Sequence, residues 1–316
     1  MKKSILTAIA LLVATALGAQ TAGFRPSGTV KFAQKDSTEL FMDIYYATAG
    51  SQTTIGGKQK PTVLFMFGGG FKEGSRAGGN VGWFKQLCDH GYNVVSIDYR
   101  LGLKGFTGAG MNMAFLKATQ HAIDIAVEDL FSATNYLLEN GGELGIDPKN
   151  MVITGSSAGA ISVMQAECEI CNFGEAAKVL PADFNYAGVA SYSGAIYTFE
   201  GKAVYAKNPC PILLFHGTAD KMVPYEKIKV FKIFFGGAEP IAKVLKKQGC
   251  NYSIYRFDGL GHEIAASMSA NLQRLETFIE HNVMKGEKRI EDALVSDPSI
   301  RKYDWGGRGY QSIYNK

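Results

Sequence analysis

Short continuous apolar runs alternate with stretches whose apolar residues recur at helical spacing, from about residue 28 to residue 284. Gly28–Ala33 and Leu40–Ala47 read as two strands joined by the polar turn Gln34–Glu39, an antiparallel hairpin. Thr62–Phe67, Tyr92–Tyr99, Met151–Thr154, Tyr186–Ser191, Ile212–Phe215 and Asn251–Phe257 follow as strands. The longer apolar runs suit strands buried on both faces. Between them, Val81–His90, Gln120–Glu139 and Ala158–Glu169 carry helical spacing, as does Ile264–Met284 at the end. Residues 224–248 read as mostly helical, broken at Gly236-Gly237, and 101–119 show no clear period. This alternation predicts an α/β fold: a mostly parallel central sheet opened by an antiparallel hairpin, with helices on both faces.

The first residues stand apart from that rhythm. Lys2 and Lys3 precede an apolar stretch from Ile5 to Leu17 and then small residues. A basic start, a short apolar core and a small-residue cut site make a secretory leader, and the core is short for a bilayer span. Cleavage is expected after Ala19, with Ala16 as the rival site, so residues 1–19 are assigned to the leader. The mature chain then has about 297 residues. The net charge of +4 loses Lys2 and Lys3 and becomes +2. An exported protein, periplasmic or secreted by a bacterium, is the expected product, with no stable membrane insertion after cleavage. So small and dispersed a charge argues against a nucleic-acid partner. No linker divides the remainder, so residues 20–285 read as one catalytic domain and 286–316 as a tail. That tail carries Tyr303, Trp305, Tyr310 and Tyr314.

Five cysteines, Cys88, Cys168, Cys171, Cys210 and Cys250, leave at least one unpaired. Cys168 and Cys171 form a CxxC, but no second pair or nearby His supports zinc. No metal and no organic cofactor is expected.

Gly155-Ser156-Ser157-Ala158-Gly159 matches G-x-S-x-G between an expected strand and an expected helix. That setting makes a nucleophile elbow, whose sharp turn demands small neighbours. The spacing selects Ser157 over Ser156 as nucleophile. A serine needs a base and an orienting acid, and this architecture orders them serine, acid, histidine. His262 lies in the glycine-rich loop Asp258–Glu263 after a strand and is assigned as base. Asp220 lies in the loop His216–Asp220 at the end of another strand and is assigned as acid. His216 is read as bracing that loop, and Asp258 as too near His262 to serve. Phe67-Gly68-Gly69-Gly70-Phe71 follows a buried strand and supplies bare backbone for an oxyanion hole. Residues 101–119 (Phe106, Met111, Met113, Phe115) and 226–239 (Phe231, Phe234, Phe235) are candidate pocket walls.

These pieces, with Asp98-Tyr99-Arg100-Leu101 and Val223-Pro224, span residues 62–264 in order. Together they resemble the α/β-hydrolase family, in particular its carboxylesterases and hormone-sensitive-lipase-like esterases. The resemblance implies Ser157 as nucleophile, Asp220 as acid and His262 as base. It also implies oxyanion donors from the backbones of Gly69, Gly70 and Ala158. Phe67 stands where that family carries a histidine, which puts the shape of this loop in question. The implied activity is carboxylic ester hydrolysis through an acyl-enzyme. Exported bacterial relatives of this kind resemble feruloyl or acetyl-xylan esterases, so the expected partner is a small-molecule or polysaccharide-linked ester. The alternatives are a peptidase of the prolyl-oligopeptidase type and a non-catalytic binding protein on the same fold. The sequence leaves the oligomeric state open.

Overall fold

A computed structural model of the chain describes residues 23–107 and 112–303. The expected leader, 1–19, lies outside the described residues, as do Met111, Trp305, Tyr310 and Tyr314. The chain begins with the hairpin β1 (Gly28–Lys35) and β2 (Thr38–Tyr45), followed by the small ribbon β3 (Thr54–Ile55) and β4 (Lys58–Gln59). Then come β5 (Thr62–Met66), α1 (Val81–Asp89), β6 (Val94–Ile97), α2 (Met113–Asn140), β7 (Met151–Ser156) and α3 (Ala158–Cys171). β8 (Gly188–Tyr192), β9 (Ile196–Thr198) and β10 (Ile212–Gly217) follow. The last part holds β11 (Lys227–Val230), β12 (Ile233–Gly236), α4 (Ala238–Gln248), β13 (Tyr252–Phe257), α5 (Leu272–Phe278) and β14 (Glu291–Val295).

Nine strands form the main sheet in the order β1-β2-β6-β5-β7-β8-β10-β13-β14. The pairs β1–β2 and β2–β6 are antiparallel, and the pairs from β6 across to β14 are parallel. The expected architecture of a mostly parallel sheet entered through a hairpin is the one observed. The central strands β5, β7, β8 and β10 are buried at every residue, which is why their sequences run apolar without alternation. Tyr192, Phe215 and Tyr255 stack across three neighbouring strands at 4.6 and 5.4 Å between ring centroids. Such cross-strand rings fix the register of the half of the sheet that carries two of the candidate residues.

Two expected helices differ from the structure. Residues 227–236 form the hairpin β11–β12, which pairs with β9 in a separate three-stranded antiparallel sheet. Lys227-Ile228-Lys229-Val230 alternates at period two, a strand pattern that a helical reading of the longer window averages away. The stretch 264–284 is not one helix. It begins as two short tight turns, His262–Ala266 and Ser269–Asn271, before α5, and Ile279–Met284 continues as a wider turn. β14 lies within the stretch 286–316 set apart as a tail, and it adds to the main sheet beside β13. All five cysteines are buried and unpaired.

α2 starts earlier than its apolar spacing shows, because Asn112 caps it: its Oδ1 accepts from Phe115 N at 3.0 Å. The buried Asp129 on α2 then anchors the loop after β6. Its carboxylate accepts from Arg100 Nε at 3.0 Å and from the Arg100 backbone N–H at 2.7 Å. Arg76, on the glycine loop after β5, bridges Asp98 at 2.6 Å and Asp43 at 3.0 Å, and the Tyr99 hydroxyl donates to the Phe67 carbonyl at 2.8 Å. These contacts tie the glycine loop after β5 to the sheet edge. Removing one partner of a buried pair strands the other charge. Asp129→Ala is therefore expected to lower unfolding free energy by about 3 kcal/mol in urea denaturation, against a change below about 1 kcal/mol for the exposed Lys85 of the Lys85–Asp89 pair.

Candidate active site

The carboxyl ends of β5, β7, β10 and β13 lie side by side or one strand apart, and the loop leaving each carries one candidate group. This is where open parallel sheets place their ligands. β7 runs into α3 with a single residue between them, Ser157, at φ 52° and ψ −116°. A β-carbon-bearing residue in that region is strained, and the strain turns its side chain out above the sheet. Only glycine fits on either side. A Cβ on Gly155 would lie 2.3 Å from the Gly159 carbonyl carbon, and one on Gly159 would lie 2.1 Å from the Met66 carbonyl oxygen. The two glycines let α3 start directly against β7 and β5.

Ser157 Oγ lies 2.8 Å from His262 Nε2, and His262 Nδ1 lies 2.8 Å from Asp220 Oδ2. The structure thus brings together the three side chains assigned as nucleophile, base and acid, from positions up to 105 residues apart. Ser156, the rival hydroxyl, points away and donates to the Ala265 carbonyl at 2.7 Å. Asp220 is fully buried at its side chain. Burial by itself favours the neutral acid. The His262 charge outweighs it, helped by hydrogen bonds from His216 and His262, and holds the carboxyl well below the usual aspartate range. An ionised Asp220 keeps the proton of neutral His262 on Nδ1, leaving the Nε2 lone pair to accept from Ser157. The other oxygen of Asp220 accepts from the backbone N–H groups of Met222 and Val223 at 2.9 and 3.1 Å. Its orientation is therefore fixed from both sides.

His216 does brace this loop. Its Nε2 lies 2.9 Å from the Val223 carbonyl, which can only accept, so Nε2 carries the proton. The same nitrogen lies 3.5 Å from Asp220 Oδ2. The loop partners Met222 and Val223 carried no sequence signal beyond the Val223-Pro224 motif.

The glycine loop passes directly over the elbow. A Cβ on Gly68 would come within 3.2 Å of Ser157 Cβ, and Gly69 and Gly70 take φ of 129° and 62°. Gly70 and Ala158 border the cavity beside Ser157. Ala158 opens α3, where backbone N–H groups lack intrahelical acceptors and the helix presents its positive end. Gly69 sits within the loop, and its carbonyl accepts from Lys72 and Glu73. Phe67, in the histidine position, stacks on Tyr99 at 4.4 Å, and its ring fills the space that a side chain at Gly74 would need. An aromatic contact here replaces a polar brace.

The cavity beside Ser157 is apolar. Phe71 of the glycine loop, Phe115, Leu116 and Ile123 of α2, Ile161 of α3, Tyr197 of β9 and Phe235 of β12 border it. Of the wall residues expected from sequence, Phe115 and Phe235 line it. Phe106 packs behind Phe115 at 6.0 Å, Phe234 is buried on the other face of its strand, and Met113 and Phe231 face solvent. Tyr197 was missed because β9 is a three-residue strand with no periodicity of its own. Among the described residues no group of three or more His, Cys, Asp or Glu is arranged to hold a metal ion.

A BD-FAE family model matches residues 42–173. Gut esterase 1 of Caenorhabditis briggsae is 34% identical over 109 residues, 34% of this chain and 18% of that protein. Fumonisin B1 esterase of Sphingopyxis macrogoltabida is 30% identical over 122 residues, 37% and 22% of the two chains. Neuroligin-2 of Mus musculus is 35% identical over 106 residues, 33% and 12%. The aligned stretch spans less than a quarter of each relative's length. Among solved structures, propionate-bound esterase Est2 of Thermogutta terrifontis superposes with a TM-score of 0.56 at 20% identity, covering 82% of this chain and 95% of that one. With a nucleophile-elbow turn between β7 and α3 and this sheet order, the chain has the α/β-hydrolase fold, and its residues 42–173 are similar to the BD-FAE family.

Proposed function

We propose that this protein is a serine carboxylesterase working through an acyl-enzyme on Ser157. The observation that carries the reading is the unbroken line Asp220–His262–Ser157, with 2.8 Å at both junctions, ending at the mouth of an apolar cavity. Two of the three relatives named above carry esterase in their names, which agrees with it. A binding protein on this fold has no need to keep all three groups in register.

The chemistry runs in two halves. As Ser157 Oγ attacks the ester carbonyl carbon, its proton passes to His262 Nε2, and Asp220 stabilises the imidazolium. The carbonyl oxygen becomes an oxyanion, received by the backbone N–H groups of Gly69, Gly70 and Ala158, each worth on the order of 3 kcal/mol. The C–O bond to the alcohol breaks, and His262 returns its proton to that leaving oxygen. Water then gives a proton to His262 and attacks the acyl carbon, and Ser157 leaves with the proton restored. No step uses a metal or an organic cofactor. The acyl group sits among Phe115, Ile161, Tyr197 and Phe235, a lining suited to an apolar or aromatic acid. On this reading the enzyme is exported by its leader, and it releases feruloyl or acetyl groups from plant polysaccharide.

Ser157→Ala is expected to abolish labelling by a fluorophosphonate and to lower kcat at least about 10³-fold on aryl esters. A variant that still labels at another residue overturns the assignment. Asp220 stays ionised through the assay range, so its charge orients His262 at every working pH. Asp220→Asn should therefore lose about 10³–10⁴-fold in kcat at neutral pH. The depressed carboxyl also links folding to pH. Its stabilising share is complete above the unfolded value of about 3.9 and is lost as pH falls towards its lower folded value. Acid unfolding of Asp220→Asn should accordingly depend less on pH below about 4 than that of the wild type. Methyl ferulate, acetylated xylan and short p-nitrophenyl esters, assayed side by side, test the acyl group: turnover of the p-nitrophenyl esters alone counts against the polysaccharide reading.

A further inference from the structure

The hairpin β11–β12 has two unlike faces. Ile228, Val230, Ile233 and Phe235 border the cavity beside Ser157. Lys227, Lys229 and Lys232 are exposed, with Lys202 exposed on the neighbouring turn and Glu226 and Glu200 as the acidic residues nearby in sequence. Between the strands only Phe231 and Lys232 make the turn, since Val230 pairs with Ile233.

Phe231 is an unusual choice at that point. It takes φ 52°, where two-residue hairpin turns favour glycine. A bulky side chain in that region is a conformational outlier. Its ring is 94% exposed, and Val230 beside it is 45% exposed. The turn thus accepts both backbone strain and an apolar ring in water, and among the described residues no ring contact offsets either. Such a residue earns an explanation outside the fold.

We propose that this hairpin tip docks the protein onto an anionic phospholipid surface, with Phe231 entering the headgroup layer and Lys227, Lys229 and Lys232 facing lipid phosphates. The size of the patch separates this partner from others. One ring buries on the order of 200 Å², while a specific protein partner needs about 800 Å² a side. A soluble polyanion would engage the lysines and have no use for the ring. A lipid interface uses both: aromatic rings settle at the headgroup level, lysine stems reach along apolar surface, and anionic lipids attract the amines. Among the described residues no helix is long and apolar enough to cross a membrane, so the contact is peripheral. Since the other face of the hairpin walls the cavity, docking would bring the cavity wall to the interface. Only this last consequence rests on the esterase reading; the binding itself does not.

The test is co-sedimentation of the full mature chain, wild type and Ser157→Ala, with phosphatidylcholine vesicles with and without phosphatidylglycerol. Both proteins should pellet with the anionic vesicles and not with neutral ones. Phe231→Asn, which suits a positive φ, should keep the fold and weaken binding roughly tenfold or more. Each lysine changed to Gln should weaken it roughly fivefold, and added salt should do the same. Turnover of a water-soluble short ester should be unchanged in Phe231→Asn, so a failed esterase reading would show separately. Equal pelleting of wild type and Phe231→Asn overturns the proposal. So does binding to soluble polygalacturonate that matches vesicle binding and ignores the ring.

Discussion

The strained turn at Ser157 is the constraint on which the site depends. A serine held at positive φ directly between a buried strand and a helix cannot relax without moving both. The close approach of Gly155, Gly159 and the Met66 carbonyl over-determines it. Strain of this kind costs of order 1–3 kcal/mol and persists only where packing fixes it from several sides. Here the fixing elements are β5 and β7, strands buried at every residue, and the helix that starts directly after β7.

The other groups reach Ser157 by a different route. Asp220 and His262 stand on loops, which are softer than strands. Rigidity comes instead from saturating the aspartate with donors: Met222 and Val223 on one oxygen, His262 on the other, with His216 beside it. Those contacts also set its charge. In a buried site an ionised carboxylate is stable only when surrounded in this way, so its low proton affinity and fixed orientation have one cause. The glycine loop is held by a third device, the Arg76, Tyr99 and Arg100 contacts behind it. Phe67 belongs to this set: stacking on Tyr99 does for the loop what a polar side chain does elsewhere.

The hairpin β11–β12 shows one segment serving two solvents. Its inner face continues the apolar wall of the cavity, and its outer face and tip are basic and aromatic. A strand can do this because its side chains alternate by period two. The same alternation explains why the segment was misread as helix: its lysines and apolar residues average to an amphipathic window when the period is not resolved. The stretch 264–284 departs from its helical spacing for a related reason. Its apolar residues do face the core, but the chain must first place His262 over the sheet, and that geometry forces tight turns where spacing alone allows a helix.

The amino-acid sequence by itself determined the parallel core, the elbow turn and which three side chains come into line above the sheet. Short continuous apolar runs between turn residues suit strands buried on both faces, and the glycine spacing around Ser157 suits a sharp strand-to-helix turn. Tertiary structure alone decided the rest. Which loop residues orient Asp220, that Tyr197 reaches the cavity, that β14 extends the sheet, and that Phe231 stands in water all depend on contacts between segments far apart in the chain. Local patterning carries no record of such distances; only the packed sheet sets them.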